Sequence, residues 1–318
     1  MNIKRVSCFK IETWDDFSLC LRLFANGWLF RGHGNAEWNL ATALDRKKYA
    51  VESEAEIFLN QYDGITKQLN SIFPKYIKAK EEYAAIQTYH RLSFLPKEMK
   101  KIEVLAHMQH YGAATRLLDV TTSFLIALFF AFEEYGTQDR AVWAFNKKLF
   151  YDRSFVVTKV AESTFDTPEA NIIAYNRLMS NRENLYNKML DAAEKCIKQN
   201  DSYEQQKLSI LPLEIVGNNS RLIAQNGAFL FPTTLQSFEE HLLHVLEMTK
   251  EDYSQATNTI SNLQQEVEEK NLPHSYVLKL IFPVEARNFA NKLFLEANIS
   301  AKSIYPDQVG LAKSIKYW

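Results

Sequence analysis

Arg31, His33, His107, His110, Tyr111, Thr115, Arg116, Asp119, Thr121, Thr122 and Ser123 fall in two short stretches, each containing a glycine. The first is WLFRGHG, residues 28–34, and the second is HMQHYGAATRLLDVTTS, residues 107–123. In the first, an apolar run breaks abruptly into Gly32-His33-Gly34, which reads as a short buried strand that opens into a loop with Arg31 at its end. A charge placed there needs a partner, either a side chain of the fold or a ligand. Asp119 is the candidate inside the fold, and Arg31 and Arg116 are both able to pair with it. His107 and His110 share a helical face, as metal ligands do, but no third ligand accompanies them, so no metal is expected. The candidates for a catalytic base are Asp119, Glu103, His110 and Gln225.

The elements that must position these groups follow from patterning. ETWDDFSLCLRLFANG reads as an amphipathic helix with Thr13 as N-cap, Asp16 at the capping-box position and Gly27 closing it. NAEWNLATALDRKKY reads as mixed loop and short helix, VESEAEIFLNQYDGITKQL has helical spacing, and a further helical region runs from about Glu81 to His110 with a break near Pro96. Gly112 ends that region and AATRLLDV crosses the core as loop or strand. Thr122 or Ser123 then caps a helix that is apolar nearly all round and therefore buried, and its first turn offers free N–H groups to an anion. RAVWAFN reads as a strand, residues 167–206 as polar helices inserted on the core, and SRLIAQNGAFLFP as strand, tight turn, strand, with Gln225 in the hairpin turn. A helix over SFEEHLLHVLEM, a polar helix over QATNTISNLQQEVEEKN, a strand over SYVLKLIFP, a helix over ARNFANKLFLEANI and a strand-turn-helix tail over SIYPDQVGLAKSIK complete the chain. Strands scattered between helices predict an α+β fold, and His241 and His244 are expected at the surface.

The chain has 318 residues, 47% of them hydrophobic, enough for a substantial core in one large domain or two smaller ones, and a single domain spanning 1–318 is expected. A formal net charge of -1 supplies no general field for nucleic acid or anionic membrane, and the runs RKKY and KEMKK read as solvated faces. The apolar run FLIALFFAF is too short for a bilayer span and the N-terminus is no signal peptide, so a cytoplasmic location without membrane contact is expected. Cys8, Cys20 and Cys196 lack CxxC spacing and fit reduced thiols. There is no Walker loop, G-x-G-x-x-G, H-E-x-x-H or G-x-S-x-G motif.

WDDF, WLFRGHG, MQHYGAATRLLDVTTSFLIALFFA, AVWAFN, RLIAQNGAFLF and IYPDQVGLAKSIK occur in the order seen in the FRG domain family, which the chain resembles over nearly its whole length outside residues 167–206. The family takes its name from a Phe-Arg-Gly motif, here Phe30-Arg31-Gly32; Val120 stands where tryptophan is common and His33 where glutamine is common. Its layout is similar to that of ADP-ribosyltransferases, which implies a split antiparallel β core with surrounding helices. In that fold an arginine or histidine ends the first core strand and contacts NAD, a Ser/Thr-rich strand precedes a buried helix, and a later strand supplies a glutamate. Arg31 matches the first feature, Thr121-Thr122-Ser123 with IALFFA the second, and Gln225 stands near the place of the glutamate.

The resemblance implies NAD as substrate, contacted by Arg31, Gly32, Tyr111, Thr115, Arg116, Thr121, Thr122 and Ser123, with Arg31, Asp119, Gln225 and His110 as catalytic candidates. It also implies a bacterial toxin used in phage defence or in a toxin–antitoxin pair. The acceptor is expected to be RNA or DNA rather than protein, because Gln225 replaces a carboxylate; an antitoxin or chaperone partner is possible. Two other functions compete: a nucleotide or nucleic-acid binding module, and an NAD glycohydrolase. Simpler roles stand beside the catalytic ones: Thr122 or Ser123 as a helix cap, and Gln225 as part of a turn.

Overall fold

The computed structural model describes residues 6–24, 27–47, 82–147, 149–150, 182–198, 208–214, 219–249, 260–261 and 277–315. Its centre is a mixed sheet of eight strands: β1 (Val6–Lys10), β2 (Trp28–His33), β3 (Leu118–Thr121), β4 (Arg140–Asn146), β5 (Ile210–Leu213), β6 (Gly227–Pro232), β7 (Ile260–Ser261) and β8 (Val277–Phe282). The spatial order is β5-β6-β3-β2-β4-β8-β1-β7. Pairing is antiparallel from β5 through β8, whereas β1 runs parallel to both β8 and β7. The expected α+β class therefore holds, with a parallel margin that an all-antiparallel core lacks.

Alternation along each strand sends side chains to two apolar layers. Leu29, Trp143, Phe145, Leu118 and Leu230 join one core, which helix α6 (Phe238–Leu246) covers. On the other face, Phe30, Val142 and Ala144 meet α1 (Trp14–Leu23), α3 (Phe124–Phe132) and α7 (Arg287–Glu296). Further along that face, Phe229 and Phe231 pack under α2 (Lys101–His110) and α4 (Arg182–Lys198). Among the described residues no helix is long and apolar enough to cross a membrane.

The helix termini follow the caps. The Thr13 hydroxyl accepts from the Asp16 N–H, and the Asp16 carboxylate accepts from the Thr13 N–H at 3.1 Å; Gly27, at φ +85°, lies beyond the C-cap Phe24. Ser123, not Thr122, caps α3 by accepting from the Ile126 N–H.

Four expectations are corrected. SRLIAQNGAFLFP begins as helix α5 (Ser220–Ala224), because the Asn219 side chain accepts from the N–H groups of Arg221 and Leu222; Gln225 is its C-cap, and Asn226 at φ +46° turns the chain into β6. The tail is two helices, α8 (Ala301–Ile304) and α9 (Gln308–Ile315), since Ser300 caps the first through the Ser303 N–H. Ile260–Ser261, expected in a polar helix, is the strand β7; the rest of 255–271 lies outside the described residues. His241 is buried, with Nε2 accepting the Thr234 N–H at 3.1 Å, while His244 is exposed. Of the expected insertion, α4 is described and packs through Met189, Leu190 and Ala193; the helical reading of 51–69 lies outside the described residues.

Candidate active-site cleft

Every residue of β2 pairs with β4, but β2 meets β3 only at Phe30↔Thr121. Past that point the two strands part, and the opening leads into a cleft of about 310 Å³. Gly32 brings α3 close to its edge: a Cβ there would collide with the Ala127 carbonyl and stand 2.7 Å from the Ala131 nitrogen. In the Phe-Arg-Gly triplet Phe30 enters the core, Gly32 admits the helix backbone, and Arg31 leaves from the opposite face.

The Arg31 guanidinium bridges the opening. Its Nη1 donates to the Asp119 carbonyl at 2.7 Å and lies 4.0 Å from the Asp119 carboxylate. Its Nε donates to Nε2 of His33 at 3.2 Å. Burial draws the Arg31 pKa down, and Asp119 opposes the shift. Burial, then the Arg31 charge, lower the pKa of His33 to about 3. His33 is thus neutral, as it must be for Nε2 to accept from a guanidinium.

Asp119 is held from its other side. Gln109 Nε2 donates to Oδ1 at 2.6 Å, and the Thr115 hydroxyl donates to Gln109 Oε1. The Thr115 oxygen also accepts from the Leu117 N–H at 3.1 Å, which fixes the direction of the chain. The buried backbone N–H orients the hydroxyl, the hydroxyl orients the amide, and the amide presents its N–H to the carboxylate. Asp119 remains largely exposed, with both oxygens facing donors.

His110 lines the same cleft from the last turn of α2, its pKa lowered by burial first and then by Arg221 and His107. Gln225 lines it from the end of α5, where its backbone carbonyl accepts from the Thr121 hydroxyl at 2.7 Å. The sequence candidates Arg31, Gly32, His110, Asp119, Thr121 and Gln225 thus converge on one cavity.

The remaining candidates stand elsewhere. Thr115 is fully buried behind Gln109, and Tyr111 projects into solvent with its ring against His110. Arg116 is buried and pairs with Glu82, to which its Nε donates at 2.7 Å, so the expected pairing with Asp119 is made by Arg31 alone. Thr122 is exposed and Ser123 caps α3. Glu103 accepts from the Lys100 N–H at the far end of α2, and His107 Nδ1 hydrogen-bonds the Tyr89 hydroxyl at 2.8 Å. Among the described residues no group of His, Cys, Asp and Glu is placed to hold a metal.

Two contributors were not singled out in the sequence. Gln109 carried a signal, since it sits inside the MQHYG block beside the histidines that drew attention. Arg221 carried none, because the helix that brings it to the cleft was expected to be a strand.

Residues 26–140 match the model of the FRG domain family. The match spans Arg31, Gln109, His110, Asp119 and Thr121, and it ends before Arg221 and Gln225, which reach the cleft from later in the chain. No curated protein and no solved structure matches.

Proposed function

We propose that the cleft binds NAD and that the protein is an ADP-ribosyltransferase. One observation carries this reading: Arg31 spans the parting of β2 and β3 and stands in one cavity with a carboxylate, a neutral imidazole and the Gln225 amide. Ligand pockets run from about 300 to 1,000 Å³, so this one suits the nicotinamide riboside end and the adjoining diphosphate rather than a whole dinucleotide. Phe30, Val120, Phe130 and Phe229 give it apolar walls for a planar ring.

Transfer breaks the bond between C1′ of the ribose and the nicotinamide nitrogen, and the electron pair leaves on nicotinamide. The developing charge on the ribose is stabilised by the Asp119 carboxylate, while Arg31 holds a phosphate. An acceptor oxygen or nitrogen bonds to C1′, and its proton passes to Asp119 or to Nε2 or Nδ1 of His110. With Gln225 in place of a carboxylate, a nucleic-acid acceptor is the better fit. In the cell, this activity would act as a toxin.

Nicotinamide release from NAD by the purified protein, with and without RNA, DNA or cell lysate, tests the reading. Release that needs one polymer supports transfer and identifies the acceptor class. Release without any acceptor supports a glycohydrolase, and no release under any condition leaves a binding module.

A further inference from the structure

Arg221 lines the cleft on the side formed by α5, and the sequence motifs assign it no role. It is half-buried and pairs with no carboxylate among the described residues; its guanidinium carbon lies 4.6 Å over the ring of Tyr305. That ring is itself fixed. The Tyr305 hydroxyl donates to Glu133 at 2.8 Å, and the same carboxylate takes the Lys313 ammonium, which stands 4.2 Å from the ring centroid. The C-terminal helices α8 and α9 thus hold an aromatic platform under a cation that has no carboxylate partner among the described residues.

The cleft is therefore unbalanced. Its lining holds two guanidiniums, Arg31 and Arg221, and one carboxylate, Asp119, which already faces Arg31 and Gln109. A half-buried guanidinium that lines a cavity, rests on an aromatic ring and pairs with no carboxylate among the described residues is matched best by a planar or tetrahedral oxyanion. Resting on the ADP-ribosyltransferase reading above, we propose that Arg221 is a binding residue for the diphosphate of the substrate, taking one phosphate while Arg31 takes the other. The ligand class is then a nucleoside diphosphate sugar, and the C-terminal tail is part of the site because it sets the Arg221 side chain.

The proposal is tested by equilibrium binding of ADP-ribose and of nicotinamide riboside, which lacks phosphate, to the full chain and to Arg221→Gln and Arg221→Lys. The expected result is a preference of the unmodified protein for ADP-ribose. Arg221→Gln should weaken ADP-ribose binding about tenfold or more, with nicotinamide riboside binding unchanged, and Arg221→Lys should fall between. Thermal unfolding of each variant establishes that it folds; if Arg221→Gln does not, Arg221→Lys decides by the same comparison. Unchanged ADP-ribose affinity in the folded variant, or no preference for ADP-ribose in the unmodified protein, overturns the proposal. Binding needs no turnover, so Arg221-dependent ADP-ribose affinity without nicotinamide release would leave this inference standing and remove the transferase reading.

Discussion

The Arg31 side chain makes two kinds of contact, and they lead to different consequences on mutation. Its hydrogen bond to the Asp119 carbonyl ties β2 to β3 where ladder pairing has ended, while its partly exposed guanidinium faces the cleft. On the proposed transferase reading, Arg31→Ala is expected to cut nicotinamide release at least about 100-fold, since both the proposed phosphate contact and the carboxylate's partner are lost, and to cost about 1–3 kcal/mol of stability. Initial-rate assays beside urea unfolding check both; activity retained by the folded variant would remove Arg31 from the chemistry. Gln109 gives a more selective probe. Gln109→Ala leaves the Thr115 hydroxyl and the Asp119 Oδ1 without their partner, so turnover should fall about tenfold or more with little change in substrate affinity. Gln109→Glu places a carboxylate against Asp119 and should impair turnover further, whereas a merely space-filling Gln109 would tolerate both. Saturation kinetics separate the two cases.

At the scale of elements, the cleft exists because α3 lies against β2. Gly32→Ala drives a methyl group into the α3 backbone, where no flexible side chain can yield, so the helix must shift or the strand must bend. A loss of about 3 kcal/mol in urea unfolding is expected, at the upper end of ordinary overpacking, together with lowered activity in whatever fraction remains folded; a variant as stable as the parent would show that the contact is not close. Much of this was legible in sequence. Thr13 and Asp16 announce α1, the all-apolar FLIALFFAF announces a buried helix, and RAVWAFN is β4 residue for residue. Polar side chains that cap were harder to read. Asn219 and Ser300 each turned an expected strand into a helix, because a side-chain oxygen that accepts the free amide protons of a first turn, two for Asn219 and one for Ser300, outweighs a short apolar run. The ion pair of Arg116 was also out of reach: Glu82 lies 34 positions away and nothing local links the two. The cleft itself was half legible, since Arg31, His110 and Asp119 sit in motifs, while Arg221 depends on a helix that the pattern hid.

At the scale of the whole molecule, two histidines among the described residues are enclosed as neutral groups, and this makes stability depend on acid in a defined direction. His33 and His241 are both buried, with pKa values lowered to about 3 and about 4, burial being the first cause in each. Once unfolded, each takes up a proton near pH 6.5. Between that value and the folded pKa the unfolded chain binds more protons than the native one, so stability is intact above about pH 6.5 and is lost as the pH falls. Each histidine contributes up to about 1.4 kcal/mol per pH unit across its window, from about 6.5 toward 3 for His33 and toward 4 for His241. The histidine share is isolated by comparison. His33→Gln keeps an oxygen able to accept from Arg31 Nε and removes the titrating group. Urea unfolding from pH 7.5 to 4.5 should show the parent losing stability more steeply than His33→Gln below pH 6.5, with the curves parallel above it. Parallel curves throughout would mean that His33 is protonated in the folded protein; an imidazolium at Nε2 cannot accept from the guanidinium, and the geometry of Arg31 at the cleft would then need another support.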